Sequence, residues 1–209
     1  IKMGLISSHL ELINIDTNLA ACLGGHNEYH LKRNFLKTHN ILRKGISELS
    51  DVYDIILIDC PPNFGSVVKN ALTASDSFLV PAKMDYLSTL GIEQLNRNFS
   101  KYVVEHNDYV KYIEDETFSV IAPTMLGVVP TMVTLYNGEP IQSNAHFINE
   151  ITNEKYYIFP WVRENANIHS MAPKRGVPVI LSMENTDVAM GIVREYRSLG
   201  DEFMKKAGA

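Results

Sequence analysis

Asp59 is the residue from which a chemistry can be read. It ends the apolar run Ile55-Ile56-Leu57-Ile58 and is followed by Cys60, Pro61, Pro62, Asn63, Phe64 and Gly65. Apolar residues bounded by turn formers predict a strand over 55–59 that is buried on both faces, as in a parallel sheet. An acid at the C-terminal end of such a strand stands where open α/β sheets gather their ligands. A hydrated magnesium ion suits a hard carboxylate oxygen there. The alternative is an acid that caps the following helix.

The other chemically able groupings are weaker. His26 and His30 are four apart, as on one helix face, but Asn27 stands where a His-Glu-x-x-His motif needs Glu, and a solvated face is expected. Cys22 and Cys60 give neither a disulfide framework nor a zinc pattern; Cys60 is expected to be a small buried residue. Lys174-Arg175, Arg194, Arg197 and Lys205-Lys206 are the basic groupings late in the chain. The formal net charge is −5, so each is read as helix-end charge and solvation. Phe159-Pro160-Trp161 is an aromatic cluster of the core or the border of a ligand site.

These residues need elements to hold them. Residues 2–7 predict a short strand, 9–23 a helix ending at Gly24-Gly25, and 28–49 a helical stretch. A short helix follows Gly65, and Phe78-Leu79-Val80 centres a strand over 77–81. From Leu87, the residues Ile92, Leu95, Phe99, Tyr102 and Val103 mark an amphipathic helix. Residues 107–117 read as a connection and 118–130 as containing a strand; Asn137-Gly138-Glu139-Pro140 is a turn. A helix over 141–151, a strand over 156–159, a short helix over 165–172, a last strand over 177–181 and a final helix from Asp187 complete the chain. Strands alternating with helices predict an α/β fold with one mainly parallel sheet and helices on both faces. Asp59, Pro81, Pro130 and Pro160 are expected at its C-terminal edge.

The composition is that of one globular domain over 1–209: 45% hydrophobic and 21% charged. No window of 18 apolar residues occurs, so no stable membrane insertion is expected, and no secretory signal opens the chain. A reducing, cytoplasmic setting follows.

Five segments together resemble the ParA/Soj/MinD group of deviant P-loop ATPases, nearest its ParA-type partition proteins. Asp54–Gly65 is similar to that family's Asp-x-Pro-Pro-x-x-Gly motif, and Asn70-Ala71-Leu72-Thr73-Ala74-Ser75-Asp76 to its next helix and turn. Val80-Pro81 with Asp85–Ile92, then Gly127–Met132, then Ala172–Val179 follow in the family's order. The resemblance implies ATP and Mg2+ as cofactors. Asp59 would be the catalytic residue, holding the metal through a water. Pro61 and Pro62 would shape the switch loop, and Thr131, Met132, Phe159 and Pro160 would line the nucleotide. It also implies a homodimer, a ParB-like partner and DNA bound without sequence preference.

One departure is large. The family's phosphate loop ends in Gly-Lys-Thr, and none of the 12 glycines here is followed by lysine. The family's aspartate-bearing switch is also not recognised. The expectation is a chain that opens near the family's third strand and is truncated before it. ATPase activity then depends on an upstream P-loop, and these residues alone are expected to be inactive. The alternative is a P-loop-less scaffold of the same fold.

Overall fold

The computed structural model describes residues 3–9, 12, 14–154, 156–181 and 186–208, with the backbone alone at 171–173 and 175. They fall into two compact units. One comprises Ile1–Phe78 with Leu95–Thr124, and the other Leu79–Gln94 with Met125–Ala209.

The first unit is mainly helical. Its helices are α1 (Ile15–Ala21), α2 (Glu28–His39), α3 (Ile41–Ile46), α4 (Ser66–Ala74) and the later part of α5 (Tyr86–Ile113). Asn27 starts α2 by accepting the His30 amide at 2.9 Å, which satisfies one of the free donors of the first turn. Val68, Leu72, Tyr102 and Ile121 form the core, with Phe35, Phe64, Phe78, Phe99 and Val103 packed against them. Asn70 pins three elements. Its amide donates to the Thr38 carbonyl at 2.9 Å and the Ser66 carbonyl at 3.0 Å, and its oxygen accepts the Leu42 amide at 3.2 Å.

The second unit carries the sheet. β1 (Ser77–Lys83) neighbours β2 (Thr124–Thr131). β2 runs parallel to the segment 157–164, through Val128 opposite Ile158 and, just beyond the strand, Val133 opposite Arg163. Gly127 makes this pairing possible. Its φ is 151°, and a Cβ there would overlap the Tyr157 carbonyl oxygen, so no side chain fits. A hairpin of β3 (Leu135–Tyr136) and β4 (Glu139–Pro140) follows. Its loop residues Asn137 and Gly138 both have positive φ, 52° and 87°, as a two-residue type I′ turn requires. Then come α6 (Gln142–Asn153), α7 (Ala166–Arg175) and α8 (Asp187–Ala207). Glu195 of α8 accepts the Arg163 guanidinium at 2.5 Å and the Arg163 amide at 3.0 Å, fastening α8 to the parallel segment.

The architecture is α/β with a parallel sheet and helices, but several elements differ from expectation. Residues 55–59 form no strand, and Leu57 is 77% exposed. A ladder needs a neighbour, and the described residues place none beside this run; Asp59 therefore ends an extended segment and not a sheet strand. Residues 3–9 likewise form no strand; residue 2 lies outside the described set. The expected strand over 156–159 is reduced to the bridge at Ile158. Residues 177–181 hold a 3₁₀ turn at Val179–Leu181, in which Leu181 donates to the Pro178 carbonyl at 2.9 Å. Pro178 cannot donate to a ladder. Of the early helix the described residues show α1, with residues 12 and 14 in 3₁₀ conformation before it and residues 10, 11 and 13 outside the described set. Residues 107–113 continue α5 instead of connecting. Pro81 lies inside β1 and not at its end.

Candidate functional site

Asp59, Pro61 and Pro62 lie together on an exposed loop of the first unit. The loop is tightened from within: Asn63 donates its amide to the Pro61 carbonyl at 2.9 Å and accepts the Gly65 amide on its side chain at 3.0 Å. It feeds directly into α4. Gly65 is the N-cap of that helix and has no side chain with which to cap it.

Asp16, in the first turn of α1, supplies the missing acceptor. Its Oδ1 accepts the Val67 amide at 3.0 Å, across 51 positions of sequence. A Cβ on Gly65 would sit 2.6 Å from Asp16 Oδ2. The glycine of the Asp-x-Pro-Pro-x-x-Gly motif is therefore a point of close approach, and the carboxylate also faces the positive end of α4. Sequence reasoning misses Asp16. Its one local mark is the dipeptide Ile15-Asp16, which repeats Ile58-Asp59 without the prolines that follow there.

The second unit brings four other expected residues together. Thr131 ends β2 and is half-buried; Met132 follows with φ 53° and is 50% exposed. The Val162 amide donates to the Pro130 carbonyl at 2.9 Å and the Val133 amide to the Val162 carbonyl at 3.1 Å, which sets Thr131 and Met132 beside the Pro160–Val162 stretch. Phe159 is 1% exposed and packs edge-on against Tyr157, with centroids 5.1 Å apart. It is a core residue beneath the edge, which leaves Thr131, Met132 and Pro160 with accessible surface. Asn144 of α6 steadies the same region. It accepts the Thr134 amide at 2.9 Å and donates to the Met84 carbonyl at 3.0 Å.

Cys60 is exposed, not buried, as are its neighbours Asp59, Pro61 and Pro62. His26 and His30 are exposed as expected, and no group of three or more metal-ligating side chains occurs among the described residues. Lys205 pairs with Glu202 at 3.6 Å, and Lys206 stands 3.7 Å from the centroid of the Tyr157 ring. Lys174, Arg194 and Arg197 are exposed; the Arg175 side chain lies outside the described set.

The donor set fits part of a magnesium site. Mg2+ commonly takes one or two carboxylates plus waters and substrate phosphates, and Asp59 offers one exposed carboxylate. A backbone cradle with a lysine, which neutralises a triphosphate, is not found among the described residues. At this loop the described residues offer Asp59 as a donor suited to magnesium.

The fold is that of an α/β protein of the P-loop NTPase class. A family model described as an AAA domain matches residues 1–112, and the chain belongs to that family, in its ParA/Soj/MinD group. It is 28% identical over 170 residues to the chromosome partitioning protein ParA of Myxococcus xanthus, covering 79% of this chain and 51% of that one. It is 32% identical over 165 residues to the sporulation initiation inhibitor protein Soj of Bacillus subtilis, covering 76% and 58%. The chain thus spans little more than half the length of these relatives. Among solved structures, an ATP complex of Cyanothece McdA superposes with a TM-score of 0.60 at 16% identity, covering 95% of this chain and 63% of that one. A plasmid partition protein of Borrelia burgdorferi gives 0.51 at 14%, covering 94% and 71%. At these identities the likeness is one of fold. Among the described residues no helix is long and apolar enough to cross a membrane.

Proposed function

We propose that these residues are part of one ATPase-type domain of a ParA-type partition protein: an ATP-dependent homodimer that binds DNA without sequence preference and whose hydrolysis a ParB-like partner stimulates. The loop Asp59–Gly65 carries this reading. It is exposed, closed from within and fastened to Asp16 at the start of α4, in a chain whose relatives include proteins named for chromosome partitioning. Asp59 would hold Mg2+ through a water, and the ion would supply charge neutralisation at the phosphates. Within the second unit, taken by itself, Thr131, Met132 and Pro160 would offer an edge for a base, with Phe159 supporting them from the core. Lys174, Arg194 and Arg197 are exposed cations of the second unit from which DNA phosphate contacts would be drawn, and such binding would weaken steeply with salt.

One observation favours a second reading. Without any Gly-Lys pair in the 209 residues, the same fold serves as a scaffold with no preorganised donors for the γ-phosphate. Calorimetry with Mg-ATP separates the two, using these residues alone and joined to a Gly-Lys-Thr loop. The residues alone should neither bind at micromolar concentration nor turn over ATP. The joined polypeptide should bind ATP, dimerise with it and retain DNA at low salt. A folded joined polypeptide that does none of these leaves the scaffold reading in place.

A further inference from the structure

The helical core of the first unit contains two histidines that the nucleotide reading does not use. His39 closes α2 and His106 lies on α5; both are fully buried, at 0% exposure. Among the described residues neither ring nitrogen of His39 has a hydrogen-bond partner, nor does Nδ1 of His106. Nε2 of His106 lies 3.4 Å from the Asn40 amide nitrogen. Aromatic rings wall the pair. Phe35 meets His39 edge-on at 4.3 Å, and Tyr102 stands 5.6 Å from His39 and 6.0 Å from His106. Tyr102 is itself committed, 2.5 Å from Thr73 Oγ1 and donating to the Lys69 carbonyl at 3.2 Å.

We propose that His39 and His106 form an acid-triggered latch, in which proton uptake by the pair opens the packing of α2, α4 and α5. A buried imidazole without partners, as at His39, is tolerated while neutral, and an imidazolium there has lost its water and gained no hydrogen bond. The charged and titratable groups around the pair deepen this. Lys69 of α4 and His106 of α5 act on His39, and Arg43 of α3 acts on His106. Tyr102 of α5 is neutral, its hydroxyl pushed above its ordinary value by burial, with Glu105 adding to the rise. Burial first, then Lys69 and His106, lower His39 from 6.5 to about 4. Burial first also lowers His106, with Arg43 adding and Asn107 opposing.

The sign follows directly. The unfolded chain takes up these protons first, so stability is whole above pH 6.5 and falls as pH drops toward the folded value. His39 alone lowers the folding equilibrium constant roughly 30-fold between about pH 7.5 and about pH 5. Urea unfolding of the 209-residue chain across that range tests this. The wild type should show that loss, and His39→Phe, which fits the aromatic wall and cannot titrate, should remove most of it. Equal pH dependence in the two proteins overturns the latch. Should His39→Phe not fold, long-range proton–nitrogen spectra of the wild-type rings decide. His39 should not titrate in the native protein above about pH 5 and His106 should titrate below its ordinary value, and a native His39 or His106 that titrates near the ordinary value of about 6.5 overturns the proposal.

Discussion

The Asp16 carboxylate fills the space that a side chain on Gly65 would need, and from there it accepts the Val67 amide at the head of α4. Gly65→Ala should displace Asp16 and uncap the helix together. Asp16→Ala removes only the acceptor and should cost about 1 kcal/mol, the ordinary worth of an N-cap. Gly65→Ala should cost at least as much, and Asp16→Asn, which keeps an acceptor oxygen, clearly less. Denaturant midpoints of the three variants check the order. A Gly65→Ala protein as stable as wild type would show that the close approach does not matter.

Local signals made much of this legible in sequence. The helices α2, α4 and α8 follow from apolar spacing, and the Asn137-Gly138 turn from its dipeptide, because those signals act within a few residues. The strands at 55–59 and 177–181 were not, since an apolar run becomes a strand only when a neighbour supplies the ladder. Asp59 was legible as an acid ending an apolar run. Asp16 was not, because its partner lies 51 residues away and a tertiary cap has no local pattern. The buried histidines were equally silent: nothing beside His39 or His106 in sequence announces that each is sealed in a core.

Gly127 should be the least replaceable glycine. Its backbone conformation disfavours a side chain, and the Tyr157 carbonyl occupies the place of a Cβ. Gly127→Ala should therefore cost about 3 kcal/mol or more, through strain and loss of the parallel pairing. Gly91 and Gly200 lie in helices with nothing within 4 Å of the place a Cβ would take. Their alanine variants should gain about 0.5–1 kcal/mol. Thermal unfolding of the three variants measures the contrast, and a tolerant Gly127 would mean that β2 and residues 157–164 do not pair as described.

Asp85 opens α5 by accepting the Ser88 amide at 2.9 Å. Hydrogen bonds from Ser88 are the largest cause holding its carboxyl below the ordinary 3.8, and Lys83 adds to them. A depressed carboxylate contributes its stability above the unfolded value and loses it as pH falls through the folded one. Asp85→Ala should thus fray the first turn of α5 at neutral pH, read as faster amide exchange at Ser88 and Thr89. The difference from wild type should persist down to about pH 4 and shrink below it. A difference that vanishes already at about pH 6 would assign the cap to another group.

Asp59 provides the sharpest separation of structure from chemistry. Its loop is exposed and its carboxylate is not the acceptor that caps α4, a place taken by Asp16. Asp59→Ala should accordingly leave the unfolding free energy within about 0.5 kcal/mol of wild type, as surface changes do. In a polypeptide that joins a Gly-Lys-Thr loop to these residues, the same change should lower Mg2+-dependent ATP turnover on the order of 100-fold, because a mispositioned metal no longer neutralises the phosphates. Asp16→Asn in that polypeptide is the control for a change beside the same loop, since it keeps an acceptor for the Val67 amide. Stability and turnover measured side by side on both variants decide the matter. Turnover that survives Asp59→Ala, in a protein that is otherwise active and magnesium-dependent, would remove Asp59 from the metal site.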